Sequence, residues 1–343
     1  MAGAELLERL EQGAVICAEG YLFELERRGY VQAGPFVPEV VLEHPEAVLE
    51  LHREFVHAGS DVVEAFTYYA HREKLRVVGR EGDLEPLNRQ ALELAKTVAG
   101  ETGTLFAGDI CNTNVYDPDD AQSEREVRAM FEEQVGWAAE AGADFVIAET
   151  YSHAQEALLG LEAIKAAGLP AVVTIGIHRR PLTREEWTPE EACKRLADAG
   201  ADVVGLNCHR GPRTILPLLG PIVEAVGDAA YVAALPVPYR TTEEEPTFQS
   251  LTDPEAPDAQ PFPTGLDPFQ ATRDEIGAFA REAWELGVRY LGVCCGGAPH
   301  HVRALAQALG RTPPASRYSA DMSRHAYFGE SARAENRAYA ADL

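Results

Sequence analysis

Four segments of this chain repeat one phrase: "HAGSDVVEAFTYY" (57–69), "EAGADFVIAETY" (140–151), "DAGADVVGLNCH" (198–209) and "ELGVRYLGVCCGG" (285–297). Each reads as a helix end, a glycine at its C-cap and a run rich in β-branched residues. Glycine supplies the left-handed conformation that ends a helix, and the runs that follow are short and apolar enough to be buried strands. Four further runs fit the same role: "AVICA" (14–18), "TLFAGDI" (104–110), "AVVTIGI" (171–177) and "YVAALPV" (231–237). Amphipathic stretches such as "PEAVLELHREFVHAG" and "EREVRAMFEEQVGWAAEAG" alternate with them. Eight such strands predict parallel βαβ repeats closed into an α/β fold, a (β/α)8 TIM-type barrel, which typically occupies about 250 residues plus insertions. The rival doubly wound sheet would carry GxGxxG after its first strand, and that motif is missing here.

Two stretches fall outside the repeat. Residues 240–270, "RTTEEEPTFQSLTDPEAPDAQPFPTGLDPFQ", are acidic and proline-rich and follow strand seven. They are expected to form a long ordered wall on the face where barrel loops build the active site. Residues 311–343 carry Tyr318, Tyr327, Phe328 and Tyr339 among arginines. The expected organisation is a barrel over 1–310 and a C-terminal arm or tail over 311–343, its aromatics suited to packing on a second copy in a homo-oligomer.

A net charge of −25 excludes nucleic acid as a natural partner, because phosphate binding needs a basic surface. No stretch has the build of a signal peptide or the roughly 18 apolar residues of a membrane span, so a cytoplasmic protein with no membrane contact is expected. Six cysteines in 343 residues are too few for a disulfide scaffold, and a reducing compartment favours thiolate or metal roles.

Three of those cysteines are brought together by the predicted barrel. Cys208 stands at the end of strand six, and Cys294 with Cys295 at the end of strand eight, so all three face one mouth. Three converging thiolates make a soft site that selects Zn2+ and leaves a fourth position free. Gly296 and Gly297 would let the backbone bend so that both neighbouring side chains turn inward. Taken alone, Cys294 and Cys295 also fit a buried apolar pair or a vicinal disulfide. Cys17, Cys111 and Cys193 read as packing residues, although Cys17 ends strand one and is placed to look into the barrel. All-sulfur ligation weakens zinc as an activator of water and favours activation of a substrate thiol, so alkyl transfer to sulfur is the reaction that benefits.

At these residues the chain resembles a known family. "GLNCHRGP" (205–212) with "GVCCGG" (292–297) resembles the signature of the homocysteine S-methyltransferases. "RRGYVQAGPF" (27–36), "HPEAVLELHREFVHAGSD" (44–61), "FTYYAHREKL" (66–75) and "LGVRYLGVCCG" (286–296) are similar to the betaine:homocysteine branch. The resemblance covers nearly the whole chain to about residue 310. It implies a (β/α)8 barrel, zinc held by Cys208, Cys294 and Cys295, and methyl transfer from a betaine-like donor to homocysteine. It further implies Glu149 as an acceptor contact and Asn207 as a substrate-binding residue, with Phe36, Tyr68 and Tyr69 as aromatic faces toward an onium donor, the last role resting on cation–π attraction.

The chain departs from the family at several of these positions. Phe36 stands in place of the branch's tryptophan, and Thr150 in place of the tyrosine after the strand-four glutamate. Where the family reads Asp-Gly-Gly after strand one, the chain reads Ala18-Glu19-Gly20. Alternation along an extended strand would aim Glu19 away from the usual carboxylate's side, and Gly20 would have to permit a twist that returns it to the mouth. Glu19 is expected to replace the missing aspartate as the partner of the acceptor's ammonium. Other readings of the same residues are a dimethylsulfonium compound or S-methylmethionine as donor, a changed acceptor, a zinc hydrolase, and a non-catalytic zinc scaffold. The hydrolase lacks a His-x-His pair at the expected strand ends.

Overall fold

The computed structural model describes residues 4–340 and 342–343. Eight parallel strands close in sequence order: β1 (Val15–Ala18), β2 (Val62–Glu64), β3 (Leu105–Cys111), β4 (Phe145–Tyr151), β5 (Ala171–Ile175), β6 (Val203–Asn207), β7 (Tyr231–Leu235) and β8 (Tyr290–Val293). The ring is shut by β1 against β8, in register from Val15 opposite Tyr290 to Ala18 opposite Val293. All but the first residue of β7 are buried along the strands, as expected where helices cover the outside of a parallel barrel.

The helix Arg273–Leu286 shows how the sequence writes its covering layer. Thr272 and Glu275 form a capping box at its start, and Gly287, at φ 109°, ends it in the left-handed conformation. Between them Ile276, Phe279, Ala280 and Ala283 recur at helical spacing and are buried. Each large side chain of that kind contributes roughly 1.5–3 kcal/mol by leaving water.

One strand ends earlier than its sequence suggests. The apolar run reads as a strand to Tyr69, but β2 stops at Glu64. The Thr67 hydroxyl donates to the Asp109 carbonyl at 2.7 Å, and its amide turns back to the Ala65 carbonyl at 2.7 Å. This side-chain bond takes over from the backbone ladder and sends Tyr68 and Tyr69 across the barrel mouth.

The segment after β7 is a packed wall. Tyr239 and Phe248 stack with centroids 5.8 Å apart, Phe262 meets Phe248 edge-on at 5.1 Å, and the Phe248 amide donates to the His209 carbonyl at 2.8 Å. Beyond the last barrel helix, Pro299–Ala308, Arg311 ties the chain back by an ion pair to Asp61 at 2.5 Å. Past that anchor Tyr318, Phe328 and Tyr339 are exposed. Among the described residues no helix is long and apolar enough to cross a membrane.

Candidate active site

Cys208 immediately follows β6, and Cys294 and Cys295 immediately follow β8. Both turns hook onto the end of β7: the Cys208 amide donates to the Leu235 carbonyl and the Cys294 amide to that of Pro236, each at 3.0 Å. Cys208 and His209 lie at φ 58° and 50°, a conformation that costs non-glycine residues about 1–3 kcal/mol each and that concentrates at functional sites. The result is that all three Sγ atoms fall within 4.8 Å of one another, buried and free of disulfide bonds. Gly296, at φ 85°, presses so closely on the Tyr239 hydroxyl that a side chain has no room there.

The donor set fits a soft metal. Zinc holds thiolates at about 2.3 Å, which spaces tetrahedral sulfurs roughly 3.8 Å apart, inside the observed limit. Hydrogen bonds from the Cys294 and Cys295 thiols hold the Cys208 thiol well below its ordinary range. Burial pushes Cys294 up, and the bond to Cys208 pushes Cys295 up.

Beside the thiols lies a carboxylate pair joined by an amide. Asn207 Nδ2 donates to Glu149 Oε2 at 2.5 Å, reaches Glu19 Oε2 at 3.3 Å and lies 3.8 Å from Cys294 Sγ. Burial pushes the Glu149 carboxyl up to about 8 against the opposing bond from Thr150. Burial and then Glu149 push Glu19 up. Thr150 sits at φ 61°, where the β4 to β5 register shifts, so its hydroxyl turns inward to Glu149 while Tyr151 is buried against Phe131.

Glu19 reaches this place by a different route from the expected twist. Its amide extends the β1 to β8 ladder by bonding the Val293 carbonyl at 3.0 Å, and its side chain shares a cluster with Cys17, two residues earlier. Simple alternation therefore puts Cys17 and Glu19 inside. Gly20 has an ordinary φ of −85° and is needed because the Gly297 carbonyl packs where a side chain would begin.

The three aromatic candidates separate. Tyr68 lines the cavity of about 10 Å3 that also touches Glu19, Glu149, Cys294 and Cys295. Tyr69, at φ 61°, lies 4.3 Å from the Tyr68 ring, and the Lys74 ammonium covers one of its faces at 3.8 Å. Phe36 stacks on Phe23 at 5.5 Å and is not among the residues lining that cavity. A wider cleft of about 830 Å3 opens between the loops after β5 and β7, lined by His178, Arg179, Arg184 and Gln249. The His178 and His209 rings, 4.1 Å apart, stand near it, with Gln249 bonded to His209.

Sequence reasoning missed Glu64 and Asp109, which also line the small cavity. The available signal was an acid inside each of two otherwise apolar strands, a residue type that is almost never fully buried without a reason.

A closed (β/α)8 barrel with three cysteines and paired carboxylates at its C-terminal mouth defines a barrel enzyme built for chemistry at sulfur. The family model for homocysteine S-methyltransferase matches residues 16–309, and the chain belongs to that family. Betaine–homocysteine S-methyltransferase 1 of Bos taurus is 42% identical over 313 residues, covering 89% of this chain and 74% of its own length. S-methylmethionine–homocysteine S-methyltransferase of Mus musculus is 40% identical over 320 residues, covering 91% and 84%. Among solved structures, the metallated form of the homocysteine methyltransferase MmuM from Escherichia coli shares the fold with a TM-score of 0.67 at 18% identity, over 89% of this chain and 99% of that one.

Proposed function

We propose that this S-methyltransferase moves a methyl group from a small betaine-like onium donor to the sulfur of homocysteine, giving methionine. The observation that carries the reading is that Cys294, one of three clustered buried thiols, also lies against the Glu19, Asn207 and Glu149 cluster. It pairs a site for a soft metal and a thiol with a site for an ammonium, the two groups that homocysteine offers. Cys208, Cys294 and Cys295 are the residues suited to hold Zn2+. When bound, zinc supplies a Lewis acid that lowers the pKa of an acceptor thiol, which otherwise is only a few per cent thiolate at neutral pH.

The chain's own groups do the rest. Glu149 and Glu19 receive the acceptor's ammonium, which must find a carboxylate once it leaves water. Asn207 holds both acids beside Cys294. The acceptor sulfur then attacks the donor's methyl carbon: a carbon–sulfur bond forms, the bond to the onium atom breaks, and its electron pair leaves with a neutral amine or sulfide. Tyr68 supplies an aromatic face for the donor's charge, with Tyr69 and Phe36 as outer parts of that wall. A second reading takes a sulfonium donor, S-methylmethionine or a dimethylsulfonium compound, and the 40% identity to an S-methylmethionine-using relative favours it. The exposed aromatics after Arg311 suit an arm that packs on another copy, and deletion of residues 320–343 is expected to lower the oligomeric mass in light scattering.

Incubating the enzyme with homocysteine and, in turn, glycine betaine, dimethylsulfonium compounds, S-methylmethionine and methyl-folate, and measuring methionine, tests the donor. Turnover with methyl-folate alone would overturn it. Metal analysis tests the thiol site: about one zinc per chain is expected, lost in Cys208→Ala.

A further inference from the structure

Below the Glu149 carboxylate the barrel holds two more acids, and neither is used by the reaction above. Glu64 ends β2 and Asp109 lies within β3; both turn inward. One carboxylate oxygen from each of Glu64, Asp109 and Glu149 lies within 4.8 Å of the other two. The three side chains are only 2%, 5% and 4% exposed. Among the described residues Glu64 Oε2 and Asp109 Oδ1 have no hydrogen-bond partner, and no lysine or arginine lines the cavity they face. Burial pushes both carboxyls well up, so each takes up a proton unless a cation pairs with it.

The size and chemistry of the space restrict what that cation can be. The cavity that these acids share with Tyr68, Cys294 and Cys295 measures about 10 Å3, roughly one water-sized probe, enough for a single ion. The donors are carboxylate oxygens, which are hard and suit Mg2+, Mn2+ or Ca2+, whereas the soft thiolates above suit zinc. Oxygens bound to such ions at about 2.0–2.6 Å lie up to roughly 5 Å apart across the ion, in keeping with the observed spacing.

We propose that Glu64, Asp109 and Glu149 form a second metal site, for a hard divalent cation, beneath the thiol site. Glu149 is its shared edge: it faces the buried cation on one side and Asn207 on the other. Glu19, which clusters with Cys17 and Glu64, keeps an oxygen for the acceptor's ammonium. Occupancy of the lower site sets the charge that the acceptor meets and holds Glu149 in place.

Metal binding tests this without turnover, so the donor and acceptor readings can fail independently. The full chain, zinc-loaded and dialysed free of other metals, is titrated with MnCl2 by calorimetry and by the paramagnetic resonance of free Mn2+, then with CaCl2 and MgCl2. One Mn2+ per chain in addition to zinc is expected. Glu64→Gln and Asp109→Asn should each weaken it about tenfold or more with zinc content unchanged, since affinity follows the number of charged ligands. Cys208→Ser should lose zinc and keep Mn2+. Absence of Mn2+ binding by the wild-type protein at millimolar concentration overturns the site, as does binding that survives both acid substitutions. Weaker homocysteine binding in those variants, with no Mn2+ bound by the wild type, would make the cluster an ammonium seat and also overturn it. Should a variant fail to fold, the wild-type stoichiometry still decides.

Discussion

Asn207 donates to Glu149 at 2.5 Å while its side-chain oxygen accepts the Thr150 amide at 3.0 Å, so one amide ties the end of β6 to the bulge in β4. The same Nδ2 reaches toward Glu19 and Cys294, which makes Asn207 a positioning residue for the acceptor pocket.

Replacing Asn207 with Ala removes its bonds to Glu149 and from the Thr150 amide, each worth about 0.5–1.5 kcal/mol. The expected result is a loss of roughly 10- to 100-fold in kcat/KM for homocysteine, carried mainly by KM, with zinc content unchanged. Steady-state kinetics with each substrate varied, together with metal analysis, checks it.

Glu19→Gln should raise the homocysteine KM while the donor KM holds steady, because the amide keeps the shape and loses the charge that meets the ammonium. A change confined to the donor would assign Glu19 to the other substrate.

The two tyrosines should behave differently. Tyr68 lines the cavity, whereas one face of Tyr69 is already taken by Lys74. A cation–π contact is worth about 0.5–2 kcal/mol, so Tyr68→Ala should raise donor KM by roughly 2- to 30-fold and Tyr68→Phe by much less. Tyr69→Ala should have the smaller effect, measured in the same donor titration.

Burial pushes the Glu156 carboxyl up to about 7, against hydrogen bonds from the Thr113 hydroxyl and amide. The folded protein therefore binds this proton more tightly than the unfolded chain. The stability Glu156 contributes is fully present below about pH 4.5 and is lost as pH rises through about 7, by about 3 kcal/mol in all. Denaturant melts across this window should show that slope in the wild type relative to Glu156→Gln, in which it disappears.

The barrel and its thiol site were legible because both follow from local order. A glycine-ended helix before each apolar run specifies the repeat, and parallel closure sends every strand end to one mouth, so Cys208, Cys294 and Cys295 had to meet. Tyr68 and Tyr69 were misread as a strand end because the bond from Thr67 to Asp109 that stops β2 joins residues 42 apart in the chain.

The acids depended on closure in a stricter sense. That Glu19 faces inward was decided by the β1 to β8 register, and that Glu64 and Asp109 meet Glu149 was decided by how β2, β3 and β4 lean together inside the ring. Strand propensity and glycine placement act over a few residues, and a chain displays them directly. The charge in the barrel's centre is a sum over side chains from separate strands, and only the closed ring sets the distances in that sum.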